Sequence, residues 1–368
     1  MPAPNRSAKT TGYLPTLDGW RALAILAVML SHDTVHRLGP LSTAWFYEHG
    51  HLGVDIFFAI SGILICSRLL TEEKSAGRIS RRSFYIRRTF RILPPAMLFL
   101  ATLLVLKATV ELPVALPEVL SSLFFVRNYT ATFSHFQTLY PFYTSHFWSL
   151  AVEEHFYLIL PSLLVFTPKK YRVAALLALA AAVSLHRIVP NSWLSFHTDI
   201  RLDALLVPAA LAVLLATPRY RIKLARIARF APIVAAILFL MVTTGHLPRT
   251  TGLLIAWLTP LLILGTLLHP ASWLSRLLEL QPLRYLGRIS YSLYLWQQLF
   301  LISHFGAGTA RLGMLQSWPL NWMMAFACAI LSYYLVEQPM IRLGHRLEPN
   351  VAANRISDLH EPESILAG

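Results

Sequence analysis

The stretch TLDGWRALAILAVMLSHD, Thr16 to Asp33, decides how the chain is read. It has the length of a membrane helix, which needs roughly 17–25 mostly apolar residues. Yet it opens with Asp18 and Arg21 and closes with His32 and Asp33. At about 1.5 Å of rise per residue, His32 lies roughly 16 Å beyond Arg21. The two are close to three turns apart, so they share one face. Asp18 is one turn before Arg21, within pairing range. Ionisable side chains are costly in lipid; they face the bundle interior and mark function. One helix face therefore links a charged pair at one end to an imidazole at the other.

The rest of the chain reads as a membrane protein too. It has 368 residues, a mean hydropathy of +0.54, 55% hydrophobic residues and only 14% charged ones. Soluble domains carry nearer a quarter. The net charge of +14 does not point to nucleic acid, because the basic residues lie between long apolar runs, as topology signals do. Cys66 and Cys328 sit inside apolar runs and lack metal-ligand spacing, so core packing is expected and no metal. The first apolar run leads into further spans, without a small-residue cleavage site after it, so an uncleaved span is expected.

Ten stretches are candidates for spans: Trp20–Arg37, His51–Leu70, Ile92–Val110, His146–Phe166, Arg172–Val189, Arg201–Thr217, Arg229–Gly245, Thr251–His269, Leu286–Gly306 and Trp318–Val336. Leu116–Val126 is apolar but too short to cross and reads as an interfacial or re-entrant piece. With both termini in the cytoplasm, 25 of the 32 lysines and arginines fall on the inner side. An odd number of spans would scramble that split. The expected fold is thus all-α, a polytopic bundle of about ten transmembrane helices. Residues 1–13 and 341–368 are expected as cytoplasmic tails around a membrane domain at 14–340.

Other spans add charges of their own. HFWSLAVEEHFYLILP, from His146, places Glu153, Glu154 and His155 in the fourth span. Asp55 lies near the outer end of the second, and Arg201 and Asp203 begin the sixth. By depth alone, His32, Asp33, Asp55, Glu153, Arg201 and Asp203 can meet in the outer half of the bundle. Asp55, Arg201, Asp203 and Glu154 could equally be interhelical ion pairs that only fix packing. For His32 a functional role is expected, because an apolar helix gains no stability from an imidazole and histidine suits proton transfer near neutral pH.

The segment RRSFYIRRTFRILPP, from Arg81 to Pro95, holds Arg81, Arg82, Arg87, Arg88 and Arg91. It could be a cytoplasmic charge anchor or a lipid contact. It could also grip a phosphorylated substrate, because Arg88 and Arg91 share one helix face and guanidinium forks bind phosphate bidentately.

Seven stretches, in order, resemble the integral-membrane acyltransferase family 3: LDGWRALAILAVMLSH, GVDIFFAISGILI, RRSFYIRRTFRILPP, FWSLAVEEHFYLILP, RLDALL, LGRISYSLYLWQ and VEQP. Together they run from about Leu14 to Met340. The family O-acylates glycans, lipopolysaccharide, peptidoglycan, lipo-oligosaccharides and some antibiotics. The resemblance implies that His32 is the essential histidine of the first helix and Arg21 the arginine of its opening motif. It implies that Arg88 and Arg91 contact a cytoplasmic acyl-CoA donor, by family habit acetyl-CoA, with no bound cofactor. Glu153 and Asp203 match acidic positions of the family's motifs. Glutamine is frequent where this chain has His155, and histidine where it has Gln297. The chain resembles the stand-alone members, which lack an added hydrolase-like domain.

The expected catalytic set is His32, Glu153 and Asp33, with Arg21, Arg88 and Arg91 on acyl-CoA. Asp18, Asp55, Arg201 and Asp203 form a supporting polar cluster. His32 would act as general base on an acceptor hydroxyl, while Glu153 orients it or stabilises the imidazolium. A covalent acyl-histidine and direct transfer both remain open. The acceptor would be a glycan, a glycolipid or a glycosylated small molecule, and the location a bacterial inner membrane. The competing class is a proton-coupled secondary transporter, since midplane charges also line transport paths.

Overall fold

The computed structural model describes residues 14–33, 49–50, 52–130, 143–188, 196–243, 249–301 and 311–348. Among these, all regular structure is helical. The ten apolar stretches each contain one main helix: α1 (Pro15–His32), α2 (Leu52–Ala76), α3 (Arg81–Val110), α4 (Phe147–Phe166), α5 (Arg172–Ile188), α6 (Asp203–Leu215), α7 (Ala231–Thr243), α8 (Arg249–Leu268), α9 (Ser290–Leu301) and α10 (Leu320–Ser332). Five helical runs among the described residues are long and apolar enough to cross a membrane: α2, α3, α4, Lys169–Ile188 and Leu320–Arg346. The outer ends of several expected spans, both distal tails, and residues 131–142 lie outside the described residues.

Three boundaries differ from the pattern reading, each for a local reason. The arginine-rich segment, most of which precedes the expected span Ile92–Val110, forms the opening turns of α3. Ser80 caps α3, its Oγ accepting from the Ser83 backbone N–H at 3.3 Å. Pro94 and Pro95 lie inside this helix. α6 begins only at Asp203, after a separate turn at Thr198–Arg201. α10 runs on through a π-helical turn, Tyr333–Glu337, into a helix at Gln338–Arg346, past the expected domain boundary. Pro339 lacks the N–H that a regular turn would donate, and π turns recur at functional sites. Leu116–Val126 folds as a short helix, Leu116–Leu123, as its length requires.

The first helix lies in the middle of the packing. Ala22, Ala24, Ile25 and Met29 are fully buried, on more than one face. It packs on α2, α9, and the short helices Trp273–Leu278 and Gln281–Arg288. The last contact is closest at Gly287, where any Cβ would overlap the Asp18 carbonyl. Small residues at such crossings let membrane helices approach by backbone. Gly62 does the same between α2 and α6, beneath the Leu205 carbonyl and Pro208. The position of Asp18 and Arg21 is thus set by backbone contact rather than by flexible side chains.

Candidate active site

Two cavities meet at the charged end of α1. The inner one holds about 800 Å³ of space, counting its open mouth. Its polar walls include Arg21, Arg88, Arg91, Glu153, Glu154 and Tyr157. The outer one holds about 660 Å³ and is lined by Asp18, Arg21, Arg68, Arg91, Arg288 and Glu337 among others. Arg21, Leu64 and Arg91 line both. Five arginines therefore line these two adjoining cavities, which together form the arginine cleft.

Local bonding explains which arginines face it. Asp18 Oδ1 accepts from Arg21 at 2.9 Å, as their spacing on α1 requires. Arg87 is ion-paired with Glu72 at 2.9 Å and with Glu348 at 2.6 Å, so it ties helix ends together. Arg81 rests over the Phe166 ring. Arg88 and Arg91 have no ion-pair partner within 4 Å among the described residues. Arg88 instead lies 5.3 Å from the Tyr157 ring centre and 5.9 Å from that of Phe84, in cation–π range.

The inner cavity holds an acid as well. Glu153 accepts from Ser61 Oγ at 2.7 Å and from Tyr157 O–H at 3.2 Å. Beyond these lie Ser149 and Tyr294, whose hydroxyls are 2.6 Å apart. Tyr294 O–H also donates to the His146 backbone carbonyl at 3.0 Å.

The far end of α1 carries a second polar group of residues, which lines neither cavity. His32 Nδ1 lies 2.9 Å from Gln297 Oε1. Asp33 accepts from Trp322 Nε1 at 2.6 Å. The His146 ring is near enough to His32 to interact with it electrostatically. It is buried, and neither of its ring nitrogens has a hydrogen-bond partner among the described residues.

The remaining charges close on each other. Asp55 accepts from Arg201 at 2.7 Å. Asp203 accepts from Arg187 at 2.7 Å and from Ser184 at 3.0 Å, while Arg187 Nε donates to the Ile200 carbonyl at 2.7 Å. Arg187, assigned no role from the sequence, is thus the partner of Asp203.

The structure brings Arg21, Arg88, Arg91 and Glu153 together, with Asp18 behind Arg21. It does not bring together the six residues that depth alone allowed to meet. His32 and Asp33 form one group, Asp55 with Arg201 another, Asp203 with Arg187 a third, and Glu153 belongs to the arginine cavity. Depth fixes a residue's height in a bundle but not the direction it faces, and the Glu153 face of α4 turns toward Ser61 of α2. Arg68, Arg288, Ser61, Tyr157, Tyr294, Glu337 and His146 were assigned no site role from the sequence. The available signals were an arginine inside the apolar run of α2, and the places of Ser61, Tyr157, Arg288, Tyr294 and Glu337 within the quoted family-like stretches.

Residues 14–337 match the family described as an acyltransferase domain, and the chain belongs to that family. With five helical runs of spanning length, it is a multi-pass membrane protein. A protein of Staphylococcus aureus strain COL, provisionally named an O-acetyltransferase, is 31% identical over 370 residues, covering 91% of this chain and 58% of the relative. The O-acetyltransferase OatA of the same strain is 28% identical over 366 residues, with the same coverage. The chain thus spans less than three-fifths of the length of these relatives. No solved structure matches it.

Proposed function

We propose that the protein is a membrane-bound O-acyltransferase that moves an acyl group, by default acetyl, from cytoplasmic acyl-CoA to a hydroxyl of a carbohydrate-containing acceptor. The observation that carries this reading is the cleft of five arginines at one end of α1, with a histidine roughly 16 Å away on the same face. The ten helices would span a bacterial inner membrane with both termini inside. Residues 14–340 would form the catalytic domain between two cytoplasmic tails. Arg88 and Arg91, with Arg21 further in, would hold the donor phosphates, for which arginine forks are suited. Asp18, paired with Arg21, and the Glu337 carboxylate, which lines the same cavity and accepts from Ser292 Oγ at 2.7 Å, would offset the arginines' mutual repulsion.

The pantetheine arm would lie in the inner cavity and carry the thioester past Tyr294 toward His32. The acceptor would enter from the opposite side. His32 takes the hydroxyl proton as the oxygen attacks the thioester carbonyl. The C–S bond breaks, and the imidazolium returns the proton to the CoA thiolate. Glu153, bonded to Ser61 and Tyr157 in the inner cavity, would orient the donor arm rather than the base. Asp33 and Trp322 would hold the end of α1 beside the acceptor. Asp55–Arg201 and Asp203–Arg187 would brace α2, α5 and α6 around the site.

The test is turnover of labelled acetyl-CoA by the purified protein with a panel of glycan acceptors, comparing wild type with His32→Ala. Transfer or slow hydrolysis in wild type, lost in the variant with folding intact, is the expected result. Wild-type turnover in His32→Ala would remove the base. Proton-coupled uptake without release of CoA would establish a transporter instead.

A further inference from the structure

The amide beside His32 carries an inference that rests on the reading of His32 as the base. Gln297 on α9 is fully buried, with its Oε1 2.9 Å from His32 Nδ1. Its Nε2 donates to Gln298 Oε1 at 3.2 Å and to the Tyr294 backbone carbonyl at 3.5 Å. Gln298 is also fully buried and donates through Nε2 to Ser145 Oγ at 2.8 Å. A backbone carbonyl can only accept, so the NH₂ of Gln297 faces Tyr294 and its oxygen faces His32. An amide oxygen can only accept as well. The proton shared by the pair therefore sits on Nδ1.

We propose that Gln297 is a positioning residue that holds His32 in the Nδ1–H tautomer and leaves Nε2 as the basic atom of acyl transfer. A base oriented by a third group is the usual arrangement of nucleophile and base in acyl transfer. Here a neutral amide takes that place. Nε2 accepts the proton of the acceptor hydroxyl as the new C–O bond forms, and gives it to the thiolate as the C–S bond breaks. Gln297 gains and loses no proton. This gives to the amide the orienting role expected of Glu153, whose carboxylate is already bonded to Ser61 and Tyr157.

The test uses the full chain, purified in detergent with ¹⁵N-labelled histidine. The His32 signal is identified by its loss in His32→Ala. Wild type is expected to show a protonated Nδ1 and an unprotonated Nε2. Gln297→Met removes the acceptor at similar volume. It is expected to shift the tautomer toward Nε2–H and to lower kcat at least about tenfold, with the acyl-donor KM unchanged within about twofold. Gln297→Glu keeps an acceptor oxygen and is expected to retain Nδ1–H and most of kcat. A wild-type signal with Nε2 protonated would overturn the proposal, even if the methionine variant fails to fold. So would a folded Gln297→Met enzyme with wild-type tautomer and turnover. If His32→Ala remains active while wild type shows Nδ1–H, the base assignment fails and the tautomer assignment stands.

Discussion

Replacing Arg88 and Arg91 together by alanine empties the cleft of two guanidiniums that no carboxylate of the described residues engages within 4 Å. Because no internal ion pair is broken, the cost should fall on the donor rather than on folding. A hydrogen bond to a charged group contributes about 1.5–3 kcal/mol, and about 1.4 kcal/mol is a factor of ten. Each arginine on a phosphate is then expected to be worth roughly 10–100-fold in kcat/KM. The side chains share one helix face and one ligand, so their effects should add incompletely. The double variant is expected to lose on the order of 10²–10³-fold with acetyl-CoA. The decisive arm is acetyl-pantetheine, the same thioester without its nucleotide and phosphates. Wild type should use it poorly, and the double variant should use it as well as wild type does, within about threefold. Equal losses on both donors would refute a phosphate role for these arginines and point to positioning of the arm or of α3 instead.

Other outcomes follow from the same geometry. Gly287→Ala forces a methyl against the Asp18 carbonyl. It should lower the melting temperature in detergent and raise the acyl-donor KM, whereas alanine at the unconstricted Gly252 of α8 should do neither. Arg187→Leu leaves the Asp203 carboxylate buried without its cation. Loss of one partner of such a pair costs about 3–5 kcal/mol, and Arg187→Leu/Asp203→Leu should recover much of the lost thermal stability. Glu153→Gln keeps the length of the side chain but weakens its bonds to Ser61 and Tyr157. It is expected to lower kcat/KM by about tenfold while leaving the His32 tautomer as in wild type, and a changed tautomer would place Glu153 back beside the base.

Much of this was legible because lipid makes a pattern strict. A bilayer of fixed thickness demands apolar runs of fixed length, and each of the ten runs does contain a helix. The pairing of Asp18 with Arg21 followed from three residues of helix. What periodicity could not give was azimuth across helices far apart in sequence. Glu153 and His32 were placed at compatible depths, yet Ser61 draws one and Gln297 the other. Arg68 and Arg288 looked like topology signals because a charge at a helix end serves that purpose wherever it faces. Only the packed bundle shows that they face the same cleft as Arg21 and Arg91. The π turn before Pro339 was also invisible, since VEQP reads as an ordinary helix end.

The rigidity of α1 sets a length requirement on the donor. Arg21 and His32 belong to one uninterrupted helix, and the Arg21 end is fixed by backbone contact with Gly287. Their separation of roughly 16 Å along the axis therefore cannot shrink to suit a shorter substrate. If the phosphates stay with the arginines, the arm alone must carry the thioester to Nε2. A donor whose arm is two methylenes shorter keeps every phosphate contact, so it should compete with acetyl-CoA at nearly equal affinity. It should still turn over far more slowly, because a misplacement of about 1 Å at the reacting atom can cost about 10²-fold. Competition and turnover would separate, with the inhibition constant unchanged and kcat reduced. If the shortened donor reacts as fast as acetyl-CoA, the thioester does not travel the length of α1, and the base must be sought among the residues of the arginine cleft.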